Sequence, residues 1–83
     1  MDRVELIREK LTTALHPREL TITDESHLHI GHAGARDGRG HFAVSIGADT
    51  FADKTTLQQH QMIYKALGEL METDIHALSI KIL

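Results

Sequence analysis

The sequence contains no cysteine and no tryptophan, and only 4% of its residues are aromatic. Without cysteine, a disulfide-stabilised scaffold is excluded, and so is an iron–sulfur site built only from the chain's own thiolates. No apolar run approaches the roughly 20 residues that a membrane-spanning helix needs. The start, Met1-Asp2-Arg3-Val4-Glu5, lacks the basic and apolar regions of a signal peptide. We therefore expect a cytoplasmic protein that does not enter a membrane.

Basic charge is also scarce. Nine Lys and Arg residues face 12 Asp and Glu residues, so the net charge is −3 with histidine neutral. This balance argues against a strong sequence-independent grip on nucleic-acid backbones, which needs a basic face. The basic residues Lys54, Lys65, Arg36 and Arg39 are too few and too scattered to form a nucleic-acid footprint on their own.

The chain has the composition and length of one small folded domain, spanning residues 1–83, with 41% hydrophobic residues. Helical spacing of apolar residues predicts helices, and period-two alternation predicts strands. The predicted elements are a helix Arg3–Leu15 capped by Asp2 and ended by His16-Pro17, strands Leu20–Thr23 and Phe42–Ile46, a helix from about Thr56 to Met71 capped by Asp53 or Thr55, and a strand from Ile75 to Leu83. This order predicts an α+β fold of the type α-β-β-α-β. Its three-stranded mixed sheet is backed by two helices, with the last strand parallel to the second.

Residue parity assigns a face of the sheet to each histidine in a strand. His76 shares parity with Leu78, Ile80 and Ile82, which predicts that it begins on the apolar face of the third strand. His41 has the opposite parity to Phe42, which predicts a cross-strand packing or hydrogen-bonding role. The apolar stripe from Leu57 to Met71 on the second helix predicts core positions, with His60 as a core histidine.

Histidine is the abundant functional side chain, with seven copies. Imidazole titrates near neutral pH and binds borderline metals through a neutral nitrogen. His27, His29 and His32 lie in a predicted loop from Glu25 to Gly40, and their spacing could also mimic a small zinc site, although a fixed fourth ligand is missing. No nucleophile–base pair, carboxylate dyad or phosphate-binding loop is present, so we predict that the protein is not an enzyme.

Several segments together resemble the BolA family over essentially the whole chain. Each is weak alone, but the Asp-Glu-Ser tripeptide, the His-Phe pair and the His-Ala-Leu segment are jointly specific at these separations. The segments are Leu20-Thr21-Ile22-Thr23-Asp24-Glu25-Ser26, His41-Phe42-Ala43-Val44, Phe51, Gln59-His60-Gln61-Met62-Ile63-Tyr64 and Ile75-His76-Ala77-Leu78-Ser79-Ile80.

The resemblance implies a fold similar to class II KH domains and an adaptor that partners a monothiol glutaredoxin around a shared [2Fe-2S] cluster. It implies His76 as one iron ligand and a loop histidine as another, with glutathione and a thiolate supplied from the partner side. His29 falls where relatives carry the loop histidine, whereas the glycines around His32 would let the backbone approach a cluster closely. Both stay candidates for the loop ligand. We expect a monomer alone and a heterodimer with the partner.

The sequence departs from the family pattern at two motifs. The usual Phe-x-Gly is Phe51-Ala52-Asp53, and the common Arg-His-Arg is Gln59-His60-Gln61. Some family members are also described as transcriptional regulators that affect stress responses and cell shape. The absence of both arginines argues against this DNA-binding role more than against the cluster role. The tail that many relatives carry after the third strand is also absent from this sequence, which leaves that tail's contribution open.

Overall fold

The fold is a mixed sheet of three strands with the helices packed on one of its faces. The computed structural model describes residues 2–26 and 40–83. Its elements, in chain order, are helix α1 (Arg3–Leu15), strand β1 (Glu19–Asp24), strand β2 (Gly40–Gly47), a 3₁₀ turn (Asp49–Phe51), helix α2 (Thr56–Leu67), helix α3 (Leu70–Thr73) and strand β3 (Ile75–Ile82).

Helix α1 begins and ends at the residues that the sequence predicts. The side chain of Asp2 accepts a hydrogen bond from the Glu5 N–H at 2.9 Å, which satisfies one of the free donors of the first turn. At the other end His16 takes a left-handed conformation, with φ 49°. Because the residue before Pro17 is excluded from the helical region, α1 cannot continue past this point.

The sheet has the order β1-β2-β3, with β2 in the centre. β1 pairs with β2 antiparallel, and β3 pairs with β2 parallel, which confirms the predicted mixed sheet. Phe42, Val44 and Ile46 on β2 are fully buried, whereas the residues between them are half-buried. One face of the sheet is therefore covered, and the other is more open.

The core lies between the covered face of the sheet and the helices. Its members are almost completely inaccessible to solvent and come from every helix and from β2 and β3. They are Ile7, Leu11, Leu15, Phe42, Val44, Ile46, Ala48, Phe51, Ile63, Leu67, Leu70 and Ile75. This apolar burial is the main force that holds the helices on one face of the sheet.

The predicted second helix is divided in two, which corrects the expectation of one helix from Thr56 to Met71. Helix α2 ends at Leu67, and Gly68 follows it with φ 53° and ψ −124°. A side chain would be strained in this conformation, so glycine permits the turn that separates α2 from α3. At its start, α2 has a complete capping box between Thr55 and Gln58, which selects Thr55 rather than Asp53 as the cap.

The prediction that the whole apolar stripe of α2 is core is wrong for two of its members. Leu57 is 67% exposed and Tyr64 is 41% exposed, whereas Ile63 and Leu67 are buried. Leu57 and Tyr64 are seven residues apart, so they lie on the same side of the helix, next to the face that packs against the sheet. His60 is half-buried rather than a fully buried core residue.

Over residues 2–26 and 40–83, no helix is long and apolar enough to cross a bilayer.

Candidate functional site: a histidine corner

An irregularity at the start of β3 decides where His76 lies. Gly40 on β2 pairs with Ile75, but the next residue, His41, pairs with Ala77. His76 is therefore an additional residue on β3, as in a β-bulge. The bulge shifts the alternation of β3 side chains between the two faces of the sheet. Ile75 is therefore fully buried, although a regular strand would place it on the opposite face from Leu78.

This bulge corrects the prediction that His76 begins on the apolar face of the strand. The side chain is exposed, and the centroid of its ring lies 5.1 Å from the centroid of the His41 ring, with a 46° angle between the ring planes. The cross-strand packing predicted for His41 is confirmed, with His76 as the neighbouring ring. We call the pair His41 and His76 the histidine corner.

The backbone of His41 is held by the turn that follows β1. Its N–H donates to the Ser26 Oγ at 3.0 Å, and its carbonyl accepts from the Glu25 N–H at 2.7 Å. The Asp24 Oδ1 in turn accepts from the Ser26 N–H at 2.9 Å, as in an Asx-turn. The Asp-Glu-Ser tripeptide therefore fixes one half of the histidine corner.

Gly40 joins this turn to the start of β3. Its N–H donates to the Asp74 carbonyl at 2.9 Å. A Cβ at Gly40 would lie 2.7 Å from the ring of Phe42 and 2.7 Å from the Ser26 Oγ, closer than atoms tolerate. Glycine is required here because the turn and the Phe42 ring approach the backbone closely.

The residue before β3 is anchored as well. The Asp74 carboxylate accepts a hydrogen bond of 2.8 Å from the Thr73 hydroxyl and one of 3.2 Å from the Arg3 Nε. The hydrogen bond from Thr73, then the hydrogen bond and positive charge of Arg3, lower the pKa of Asp74 against the opposing effect of burial. The first turn of α1 thus ties down the chain just before His76.

Of the three predicted site residues, the structure places one. His76 lies at the corner, and His29 and His32 lie outside the described residues. Within residues 2–26 and 40–83, no three histidine or carboxylate side chains form a group that could hold a metal ion. The described part of the chain can offer an exposed imidazole at a fixed place, but any larger ligand set needs donors from elsewhere.

His41 is the member of the corner that sequence reasoning undervalued. The parity of His41 pointed to the right face, but the approach of His76 depends on the bulge in the neighbouring strand. A shallow depression of about 240 Å³ adjoins the corner, and its lining includes Glu25, His41 and Ser79. The corner is therefore accessible beside a surface that another molecule can contact.

A comparison with protein families decides the relationship. The sequence model described as BolA-like protein matches residues 11–83. The chain belongs to the BolA-like family. The structure agrees, because BolA1 from Arabidopsis thaliana superimposes with a TM-score of 0.84 at 38% identity, over 99% of this chain and 90% of that one.

Relatives of this BolA-like chain carry different names. SufE-like protein 1, chloroplastic/mitochondrial, of Arabidopsis thaliana is 42% identical over 79 residues, which are 89% of this chain and 21% of that protein. DNA-binding transcriptional regulator BolA of Escherichia coli (strain K12) is 40% identical over 76 residues, 92% of this chain and 70% of that protein. The chain spans 51% of a further relative, protein BOLA1, chloroplastic, of Arabidopsis thaliana.

Proposed function

We propose that this BolA-like protein is a non-enzymatic adaptor that binds a monothiol glutaredoxin and shares a [2Fe-2S] cluster with it, in cluster delivery or iron regulation. His76 donates one imidazole nitrogen to iron. One of His29 and His32 donates a second nitrogen. The partner's thiolate and a glutathione complete the ligand set.

The observation that carries the proposal is the exposed His76 ring at a position where the backbone is fixed from several sides. The bulge turns this ring out of the core, and it packs against the ring of His41. Metal-bound histidines in proteins need their rings oriented by a supporting set of contacts. The corner supplies such support before any iron arrives.

The donor set of the chain fits a shared cluster and not one held alone. The chain has seven histidines and no cysteine. Clusters of this kind take thiolates as ligands, and two imidazoles can replace two thiolates on one iron. A chain that brings only nitrogen therefore requires a partner that brings sulfur.

Imidazole ligands also suit a protein that passes a cluster on rather than one that stores it. Replacing thiolate by neutral imidazole raises the reduction potential of a [2Fe-2S] cluster. A ligand that must be neutral to bind also gives a site whose affinity falls when protons compete for the nitrogen. Such a site can release its cargo to the next protein.

The proposal is tested by titrating a cluster-loaded monothiol glutaredoxin with this chain and following the visible absorption and circular dichroism. We expect a saturable change in the spectrum with the unmodified chain. His76→Ala should abolish that change. The matched control is His16→Ala, an exposed histidine at the end of α1, which should behave as the unmodified chain does.

Two results would contradict the assignment of His76. One is a spectrum that the unmodified chain leaves unchanged, and the other is an equal change with His76→Ala. Histidine ring shifts by nuclear magnetic resonance on adding the loaded partner then choose between His29 and His32, because only the coordinating ring should lose or strongly shift its signals.

A second candidate function is regulation through DNA binding. It is favoured by the name of the Escherichia coli relative, which is called a DNA-binding transcriptional regulator. Against it stand the net charge of −3 and the glutamines Gln59 and Gln61 in place of the family's arginines. Its test is binding to promoter DNA over a range of salt, because phosphate contacts make affinity fall steeply with salt concentration.

A further inference from the structure

Three depressions lie along α2, and two of them also include residues of α1. Their volumes are about 270, 390 and 350 Å³. The first two share Met62 and Lys65, and the last two share Lys65 and Ala66. They therefore adjoin one another along α2, and we call the three together the lysine groove, lined by Lys10, Lys54, Lys65, Met62, Ala66 and their neighbours.

The charge of the lysine groove is opposite to that of the whole chain. Among the described residues, its ionisable lining consists of Lys10, Lys54, Lys65 and one carboxylate, Glu69, which sum to +2. The net charge of the chain is −3. None of the three lysines takes part in a salt bridge with another residue in the described part of the chain. Their charges are thus available to a ligand.

The floor of the groove is apolar. Met62 and Ala66 are half-buried on α2, and Leu15 of α1 is buried beneath them. The ammonium group of a lysine can stay in water and contact a charged ligand there, while the methylene groups of the same side chain cover the apolar floor. A ligand that satisfies both features presents apolar groups in its centre and carboxylates at its rim.

A helix suits this surface as a partner element, because it can present an apolar stripe between two charged flanks. Helix α2 has 12 residues, which at 1.5 Å per residue is about 18 Å, or three turns. A partner helix of that length offers an apolar stripe at every third or fourth position with acidic residues on both sides. Nucleic acid fits less well, because the floor is apolar and the lining includes Glu69.

We propose that the lysine groove is the docking surface for an acidic amphipathic helix of a partner protein. Lys65 lies at its centre, because it lines all three depressions. None of the histidines that the structure describes lines the groove. This docking therefore goes beyond the proposed cluster function and can be tested on the protein without iron or glutaredoxin.

The probe is a synthetic peptide of about 14 residues, with leucines on one helical face and glutamates elsewhere, carrying a fluorescent label. We expect saturable binding by fluorescence anisotropy that weakens as salt is added, because the attraction is partly electrostatic. Lys65→Glu should weaken binding at least about tenfold, since like charges across an interface repel. The methyl resonance of Met62 should shift when the peptide binds.

The matched control variant is Lys81→Glu. It changes the net charge by the same amount, at an exposed position on β3 that lines none of the three depressions, so its binding should stay within about twofold of the unmodified chain. Far-ultraviolet circular dichroism checks that both variants fold. Lys65→Gln, which removes the charge without reversing it, should give an intermediate loss.

Four results would overturn the proposal. They are the absence of saturable binding at low salt, an equal loss with Lys81→Glu, equal binding of a peptide with the same composition but no apolar face, and displacement of the peptide by a short DNA duplex at the same charge concentration. The last would assign the groove to nucleic acid.

Discussion

The histidine corner and the lysine groove are built in different ways. At the corner, backbone hydrogen bonds from Glu25 and Ser26 to His41 and from Gly40 to Asp74 determine where the rings lie. At the groove, exposed lysine side chains surround an apolar floor, and no hydrogen bond or ion pair among the described residues holds their charged ends. The corner depends on backbone geometry, and the groove depends on charge.

This difference suggests different tolerance to substitution. A side chain that coordinates a metal must be placed within a fraction of an ångström, so a corner that positions such a side chain needs support from the surrounding backbone. A surface that attracts a charged partner works through a field that several side chains share. We therefore expect substitutions in the residues that support the corner (Gly40, Ser26 and Asp74) to lower the free energy of unfolding, and substitutions in the groove to leave it nearly unchanged.

The largest expected effect is that of Gly40→Ala. The added Cβ would lie 2.7 Å from both the Phe42 ring and the Ser26 Oγ, and overpacking of this kind lowers the free energy of unfolding by about 2 kcal/mol. Urea denaturation measures the loss. The control is Gly47→Ala, whose nearest atom, the Leu83 Cβ, is 3.4 Å away. Equal losses in the two variants would show that the corner is not closely packed.

Ser26→Ala should have a smaller effect. It removes the hydroxyl that accepts the His41 N–H at 3.0 Å, and loss of such a hydrogen bond lowers the free energy of unfolding by about 1 kcal/mol. Amide hydrogen exchange at His41 should become faster. Ser79→Ala, at an exposed position on β3, is the control. Unchanged exchange at His41 would refute the role given to the tripeptide.

Acid should weaken the corner through Asp74. Its pKa is lowered in the folded protein by Thr73 and Arg3, so its carboxylate stabilises the fold above the ordinary value of 3.8. That stability is lost as the pH falls from there through the lowered pKa. Asp74→Asn should remove this part of the acid dependence in urea denaturation followed down to about pH 3. Glu9→Gln on α1 is the control, and an unchanged profile in Asp74→Asn would contradict the interpretation.

The smallest effect should be that of Lys65→Gln. Its side chain is exposed and makes no ion pair with another described residue, so the free energy of unfolding should change by less than about 0.5 kcal/mol. Arg3→Gln is the contrasting variant, because Arg3 pairs with Asp74. A larger loss in Lys65→Gln than in Arg3→Gln would mean that the groove charge is structural, and the comparison between the two regions would fail.

Features that depend on neighbouring residues could be predicted from the sequence. The bounds of α1 follow from the cap at Asp2, the spacing of its apolar residues and the proline after His16, and the structure confirms them. The mixed three-stranded sheet also follows, because alternation marks the strands and their order limits the pairing.

Features that depend on distant residues could not be predicted. The bulge at His76 is a property of the pairing between β2 and β3, so counting along β3 alone assigned this histidine to the wrong face. A single glycine is tolerated in many helices, and so Gly68 gave no firm reason to end α2 before the apolar pattern ended. The groove was missed because Lys10, Lys54 and Lys65 meet only when α1 and α2 pack together.

The candidate site was predicted in part. The family pattern identified His76, and the structure gives a physical reason for the Asp-Glu-Ser tripeptide, which the pattern identified without explaining it. The choice between His29 and His32 stays a prediction, because both lie outside the described residues.

In a regular strand, the alternation of side chains would decide both which residues pack in the core and which side chain is presented for function. The bulge separates these two requirements. Leu78, Ile80 and Ile82 keep the alternation that the folded state needs, and His76 stands outside that alternation. The side chain at position 76 can therefore be exchanged by mutation or evolution without altering what the interior contacts. New chemistry at this place would leave the architecture of the domain intact.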